Sequence, residues 1–323
     1  IVTCPCALGL AVPAVQITAS ARLFRRGVLV KSGAALERLA EADTVVFDKT
    51  GVLTMGRPRL IDAAPQVVRM AAPLARASRH PLARALAEAA GEGPMASDVA
   101  EVAGQGVEGM IDGRRARLGR AAFLGVESHG QETELWFGFD GDTRVRLRFA
   151  DSLRPDAADA VAALRARGLA VQVLSGGLEG PVARIAEAVG VGDWRAACSP
   201  LAEAAAADAL AAQGRKGLMV GDGLNDAGAL AKAHAAMAPG TALEASQNAA
   251  DLVFSGDRLG AVVDAVDIAR NARTRALENF GLATVYNLLA APAAMLGFVN
   301  PFVAAIAMSV SSLVVTLNAL RTG

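Results

Sequence analysis

An aspartate closes the apolar run "TVVFDKTG" (44–51), and this residue, Asp48, is the first in the chain placed to do chemistry. A carboxylate where a buried parallel strand runs out into a glycine turn lies at a sheet edge, near backbone N–H groups that hold phosphate oxygens. Aspartate is also a competent nucleophile for making an acyl phosphate. Taken alone, "DKTG" equally fits an ordinary strand-ending turn. The stretch "GDGLNDAGAL" (221–230) adds Asp222 at the end of another strand and Asp226 one turn later. Carboxylates so spaced, facing a third across adjacent strand tips, make a hard oxygen site suited to Mg²⁺, and Gly221 and Gly223 let the backbone approach closely. Ser175, in "LSGG", supplies a hydroxyl at the end of an intervening strand. A different chemistry opens the sequence: "IVTCPCALGLAVP" sets Cys4 and Cys6 on either side of Pro5. Thiolates are soft donors that select Cu(I). A proline break inside a membrane helix is tolerated where it lines a path or is satisfied by ligands. The alternative is a pair of small buried apolar residues, which free cysteine often is.

Three segments must position the acids. The runs 44–51, 170–177 and 217–223 read as apolar strands ending in glycine and acid, with helical patterns at 155–168, 179–190 and 201–213. That alternation predicts an α/β doubly wound sheet with its working residues at the strand C-termini. A nucleophilic Asp, a strand-end hydroxyl and a Mg²⁺ dyad together form a haloacid-dehalogenase-like phosphorylation site. Residues 57–149 differ in character, with one alanine-rich helix at about 71–91 and then Gly- and Arg-rich strands. They read as an α+β domain inserted into the first.

Lys+Arg and Asp+Glu balance at 32 each, so no electrostatic case for nucleic acid arises. Three cysteines cannot build a disulfide framework. The 53% hydrophobic share is high for a soluble domain, and the excess is concentrated at the two ends. Residues 1–21 carry almost no charge before Arg22, Arg25 and Arg26, and neither 280–299 nor 302–320 carries any. Each of the last two approaches the ~20 residues that span a bilayer, with Asn300–Pro301 as the break; a buried soluble hairpin is the alternative. The opening run has no basic n-region and reads as membrane helix rather than signal peptide. Arginines at the inner edges, by the positive-inside tendency, make residues 25–275 cytoplasmic.

The chain resembles the C-terminal half of a heavy-metal P-type ATPase of the copper-transporting, Cys-Pro-Cys class. The resemblance is carried by "CPCALGLAVP", "FDKTGVLT", "SRHPLA", "GQGVEG", "DSLRPDA", "VGDGLNDAGAL" and "NPFVAAIAMSVSSLVVTLNALR", in that family's order. It implies a phosphorylation domain at 25–56 and 150–258, a nucleotide-binding domain at 57–149, and membrane helices ending at 24 and covering 277–299 and 301–321. It further implies that Asp48 is phosphorylated by ATP, with Lys49, Thr50 and Ser175 around the phosphate. Mg²⁺ would lie among Asp48, Thr50, Asp222 and Asp226. His80, Pro81, Gly104, Gly106, Gly109 and Arg154 would serve the nucleotide. Read unaided, His80 is a helix-start histidine and "GQGVEG" a β-turn. Tyr286, Asn287, Met308 and Ser312 match the copper subclass and would pass Cu(I), with Ag(I) as an alternative cargo, along with Cys4 and Cys6. Met308 and Ser312, four apart, share one helix face. The implied setting is a bacterial inner membrane, with membrane lipid around the helices and a copper chaperone delivering the ion. The actuator domain and earlier membrane helices would lie outside this sequence.

The pattern is broken in places. Val52, Arg79, Gly177 and Gly228 replace a threonine, an acid, an acid and a proline that the family favours. Glu203, in "CSPLAEAAAADAL", stands where a lysine is expected. A carboxylate ~4 Å from the phosphoryl group would oppose it by ~4 kcal/mol at an effective dielectric of about 20. Glu203 is therefore expected to point away, or the register to shift, and phosphorylation to be slowed or lost. Lys216 precedes Asp222 by six strand residues and falls at the wrong end of the sheet, leaving Lys232 as the nearest substitute. Besides the exporter, the sequence admits a non-catalytic nucleotide- or metal-binding relative, or a soluble phosphatase of the same superfamily.

Overall fold

The computed structural model describes residues 6–127, 132–223 and 226–322. Cys4 and Pro5 lie outside them, as does the side chain of Cys6, so the thiol pair is not placed. The elements run α1 (Cys6–Arg25), β1 (Val28–Val30), α2 (Gly33–Ala40), β2 (Thr44–Asp48), β3 (Thr54–Asp62), α3 (Pro65–Ala77), α4 (Pro81–Ala90), β4 (Ser97–Val102), β5 (Gly106–Ile111), β6 (Arg114–Gly119), β7 (Thr133–Phe139) and β8 (Val145–Leu153). They continue α5 (Ala157–Ala166), β9 (Ala170–Leu174), α6 (Glu179–Ala188), β10 (Trp194–Arg195), α7 (Pro200–Ala212), β11 (Gly217–Val220), α8 (Ala227–Lys232), β12 (Ala235–Pro239), α9 (Glu244–Ala249), β13 (Leu252–Phe254), α10 (Gly260–Met295) and α11 (Pro301–Ala319).

The chain divides into two units: Ile1–Asp48 with Asp156–Gln172 and Pro200–Gly323, and Lys49–Pro155 with Val173–Ser199. In the first, the strand order is β1-β13-β12-β11-β2-β9. β12 lies parallel to β13 and to β11, and β11 parallel to β2. Parallel strands covered by helices are buried on both faces, so they read as unbroken apolar runs. Thr44–Asp48 and Gly217–Val220 are buried at every position. Helix α10 starts against Asp156, whose carboxylate accepts from Leu259 N (2.9 Å) and Gly260 N (2.8 Å), two of the donors a helix leaves open at its start.

α10 is one continuous helix of 36 residues, about 54 Å at helical rise. Its first half buries Val262, Val266 and Ala269, while Leu277, Phe280, Val285 and Leu288 further on are exposed. The apolar run expected to extend to 299 is helical only to Met295, and the next helix starts at Pro301 with Asn300 Oδ1 accepting from Val303 N (2.9 Å). Among the described residues one helix, Pro301–Ala319, is long and apolar enough by length and composition to cross a membrane. Asn279 and Asn287, with Pro292, lower the apolar character of α10. Helices α1, α10 and α11 meet at Ala11, Ala283 and Val315, small side chains that allow close approach.

The second unit carries a six-stranded sheet in the order β3-β8-β7-β6-β5-β4, antiparallel throughout. One face is covered by α3 and α4 through Leu74, Leu86, Leu118, Phe137 and Leu147, all fully or nearly fully buried. The single alanine-rich helix expected over 71–91 is two helices, broken at Ser78–His80. Pro81 is the cause: a residue before proline is pushed out of the α region, and His80 adopts φ −63°, ψ 136°.

Candidate active site

Asp48 is the last residue of β2 and is 7% exposed. Phe47 pairs with Val220 on the neighbouring parallel strand, so Asp48 and Asp222 leave adjacent strand tips side by side. Carboxylate oxygens of Asp48, Asp222 and Asp226 lie within 4.8 Å of one another. Three hard oxygen donors at that separation match the preference of Mg²⁺, which takes few carboxylates and completes its shell with water and phosphate.

The loop that brings Asp226 back is tied down by its own carboxylate. Asp226 Oδ2 accepts from Asp222 N and Gly223 N, both at 3.1 Å. Although Asp226 is the N-cap of α8, its side chain makes no capping bond there. Gly221 is required in this loop, because a Cβ would sit 2.8 Å from Asp226 Cβ. Leu243 N donates to Asp222 O (3.1 Å) and Ser246 Oγ donates to Gly223 O, which anchor the loop to the start of α9.

Glu203 does not point away. It lies in the first turn of α7, 3% exposed, with its carboxyl hydrogen-bonded to Asp226. Burial first, and then the adjoining Asp226 carboxylate, push its pKa up to about 8. The expected opposition to a phosphate assumes a charged carboxylate, whereas burial, which residue type alone does not reveal, favours the neutral acid here. Neither lysine replaces it: Lys232 Nζ pairs with Asp208 (2.5 Å), and Lys216 Nζ with Glu41 (2.6 Å).

Lys49, Thr50 and Ser175 belong to the second unit. Lys49 and Thr50 open a tight turn through Leu53, in which Gly51 takes φ +73°, a conformation that favours glycine. Beneath it, Arg154 is 2% exposed and donates from Nε to Val52 O and from Nη2 to Gly51 O, both at 2.7 Å. Arg154 thus braces the turn. Ser175, 1% exposed, accepts from Gly177 N at 3.2 Å. A Cβ at Gly177 would lie 3.3 Å from Lys49 Cε, so the missing acid leaves that lysine room.

The second unit also holds a cavity of ≈ 690 Å³ between α4 and the sheet, lined among others by His80, Gly104, Gly106, Leu135 and Leu178. His80 starts the helix, where its Nδ1 accepts from Leu82 N (3.3 Å), and the residue also lines the cavity. Pro81, Gly109 and Arg154 do not line it. Gly109 instead permits close packing, since a Cβ would meet Ser97 O at 2.9 Å and Leu74 Cδ2 at 3.2 Å. Gly106 does both: it lines the cavity, and a Cβ would meet Leu118 O at 2.4 Å.

In the helical bundle, Tyr286 and Asn287 of α10 and Met308 and Ser312 of α11 are half-buried. They share helix faces with Ala283 and Val315, which pack on Ala11 of α1. Asn287 Oδ1 is buried with no hydrogen-bond partner among the described residues. Motif reading missed a polar cluster nearby, in which Asn279 donates to Ala11 O (3.2 Å) and Asn318 donates to Asn279 Oδ1 (2.9 Å). Asparagines within otherwise apolar helices were the available signal.

Residues 42–234 match the family model described as haloacid dehalogenase-like hydrolase. The chain belongs to that family. Within it, the chain is similar to the nitrogen fixation protein FixI of Rhizobium meliloti (strain 1021), at 46% identity over 327 residues covering 99% of this chain and 43% of FixI. A copper-exporting P-type ATPase of Mycobacterium tuberculosis (strain ATCC 25618 / H37Rv) is 37% identical over 341 residues, covering 99% of this chain and 45% of that protein. The solved structure of a zinc-transporting PIB-type ATPase in its E2.Pi state matches with a TM-score of 0.82 at 29% identity, over 99% of this chain and 56% of that one. This haloacid dehalogenase-like hydrolase spans about half the length of the curated relatives it matches. Its homologues include metal-transporting P-type ATPases, and the resemblance read from the motifs extends over nearly the whole chain.

Proposed function

We propose that this chain is the catalytic and membrane-anchored portion of an ATP-driven Cu(I) exporter that works through an aspartyl phosphate on Asp48. The observation that carries the reading is the convergence of Asp48, Asp222 and Asp226 at adjacent strand tips. A carboxylate oxygen of Asp48 attacks the γ-phosphorus of ATP, the bond to the β-phosphate oxygen breaks, and ADP leaves with that electron pair. Water later cleaves the acyl phosphate to restore the carboxylate and release phosphate. Mg²⁺, held by Asp48 and Asp222, supplies neutralisation of the phosphoryl oxygens when bound. Asp226 fixes the loop, Thr50 and Ser175 meet the phosphate, and the His80-lined cavity takes the nucleoside.

The cargo would pass Cys4, Cys6, Tyr286, Asn287, Met308 and Ser312. Sulfur donors favour Cu(I), and 280–320 carries no lysine or acid of the kind a zinc-type path would present. Helix α10 is the mechanical link, since one unbroken helix carries both the residues packed on α2 and α5 and Asn287. A bacterial inner membrane, with the sheet units in the cytoplasm, fits the arginines at the helix ends. The second reading, nucleotide binding without turnover, is favoured by Gly177; it requires that ATP binds and no acyl phosphate forms. Copper uptake into inverted vesicles tests the first reading, using this chain joined to the remaining part of the pump. Uptake is expected to stop in Asp48→Asn, and undiminished uptake overturns the proposal.

A further inference from the structure

We propose that Arg270 is a positioning residue for phosphoryl transfer: its guanidinium clamps the loops that enter β2 and β9 to α10, so that a change at Asp48 reaches the apolar half of that helix. The inference rests on reading Asp48 as the residue that carries the phosphoryl group. Nη1 of Arg270 donates to Arg167 O (2.9 Å) and Nη2 to Ala42 O (3.1 Å). Arg167 ends α5 and leads toward β9, and Ala42 lies just before β2, the strand that ends on Asp48. Helix capping accounts for the first bond, since carbonyls at a helix C-terminus lack intrahelical donors. The second bond reaches a different loop, and no cap requires it.

Arg270 belongs to a charged row. Asp267, Arg270 and Arg273, spaced three apart, share one face of α10. Asp267 accepts from Arg167 Nε and Nη2, both at 2.6 Å. Arg273 Nη2 lies 3.6 Å from Glu41 Oε1, and Lys216, directly before β11, donates from Nζ to Glu41 Oε2 (2.6 Å). The loops are joined to one another as well: Asp43 N donates to Lys216 O (3.0 Å), and Ala170 N donates to Asp43 O (2.9 Å). The strands whose far ends lead to Asp48 and Asp222 are thus held at their near ends by α10. β2 is buried at every position and about 13 Å long at strand rise, a stiff element between clamp and carboxylate. Asn287 lies about 25 Å beyond Arg270 on the same unbroken helix.

The test uses the full chain in detergent, with Mg²⁺ and beryllium fluoride as the probe, an anion that mimics a phosphoryl group on a carboxylate. Calorimetry reads binding, and hydrogen exchange reads α10 over residues 274–282. In wild type, binding is expected to change exchange there by about fivefold or more. Arg270→Met and Arg270→Lys are expected to bind the probe yet keep less than about a twofold response, lysine because one ammonium cannot hold both carbonyls. Asp267→Asn weakens the same junction without touching either carbonyl. It is expected to keep the response, which separates transmission from general loosening. A full response in both Arg270 variants, an equal loss in Asp267→Asn, or failure of both Arg270 variants to bind the probe overturns the inference. A wild type that binds the probe with no change over 274–282 also overturns it and leaves the Asp48 reading standing. If wild type and Asp48→Asn bind the probe alike, that reading fails and the inference falls with it.

Discussion

Replacing Arg154 by methionine removes the guanidinium that holds the turn after Asp48. Two charge-assisted bonds, to Val52 O and Gly51 O at 2.7 Å each, disappear, and two buried carbonyls lose a donor. Bonds to a charged group contribute about 1.5–3 kcal/mol each, so the gross loss is ~3–6 kcal/mol. Relief of the buried charge returns part of this, leaving a net loss of about 3 kcal/mol. The loss falls on the 49–53 turn, because the main-chain bond from Arg154 N to Leu53 O (2.9 Å) survives the substitution. Hydrogen exchange at Gly51, Val52 and Leu53 is the direct assay: ~3 kcal/mol corresponds to roughly 100-fold faster opening where exchange follows local unfolding. Lysine should rescue poorly, since one ammonium lacks the planar fork that reaches both carbonyls. Unchanged protection across 51–53 in Arg154→Met would refute this account of how the turn is held.

Three further outcomes are expected. In EDTA, a Glu203 pKa raised from 4.5 to about 8 gives stability that is complete below about pH 4.5 and is lost as pH rises toward 8, on the order of 4 kcal/mol in all. Melting temperature should therefore fall across that window in wild type and stay flatter in Glu203→Gln; parallel curves would count against the assignment. Gly106→Ala places a Cβ 2.4 Å from Leu118 O and should weaken binding of a fluorescent ATP analogue while lowering the melting temperature. Asn300→Ala removes the bond from Val303 N and should cost α11 about 1 kcal/mol, visible as faster exchange confined to its first turn.

The strand tips were legible because their signals are local. An apolar run, then an acid, then glycine, places Asp48 and Asp222 whatever surrounds them. Strand pairing decides that the two acids meet, and the order of parallel strands follows from alternation with helices. The Glu203–Asp226 pair was not legible, because it depends on how α7 packs against α8. Whether a glutamate carries charge depends on burial, which residue type does not show. The break at Ser78–His80 was readable from Pro81, but the alanine-rich composition on both sides masked it. Arg154 resembles a ligand-binding arginine until its burial under the turn is seen. The polar contact joining α1 to α10 links residues 268 positions apart, Asn279 and Ala11, beyond any periodicity.

Incubating the chain with γ-labelled ATP and Mg²⁺, followed by acid quench, tests the central claim most directly. An acid-stable, hydroxylamine-sensitive label in wild type that is absent from Asp48→Asn is the expected result. No label in wild type under conditions where ATP binds, or equal label in Asp48→Asn, would contradict the assignment of Asp48 as the phosphorylated nucleophile.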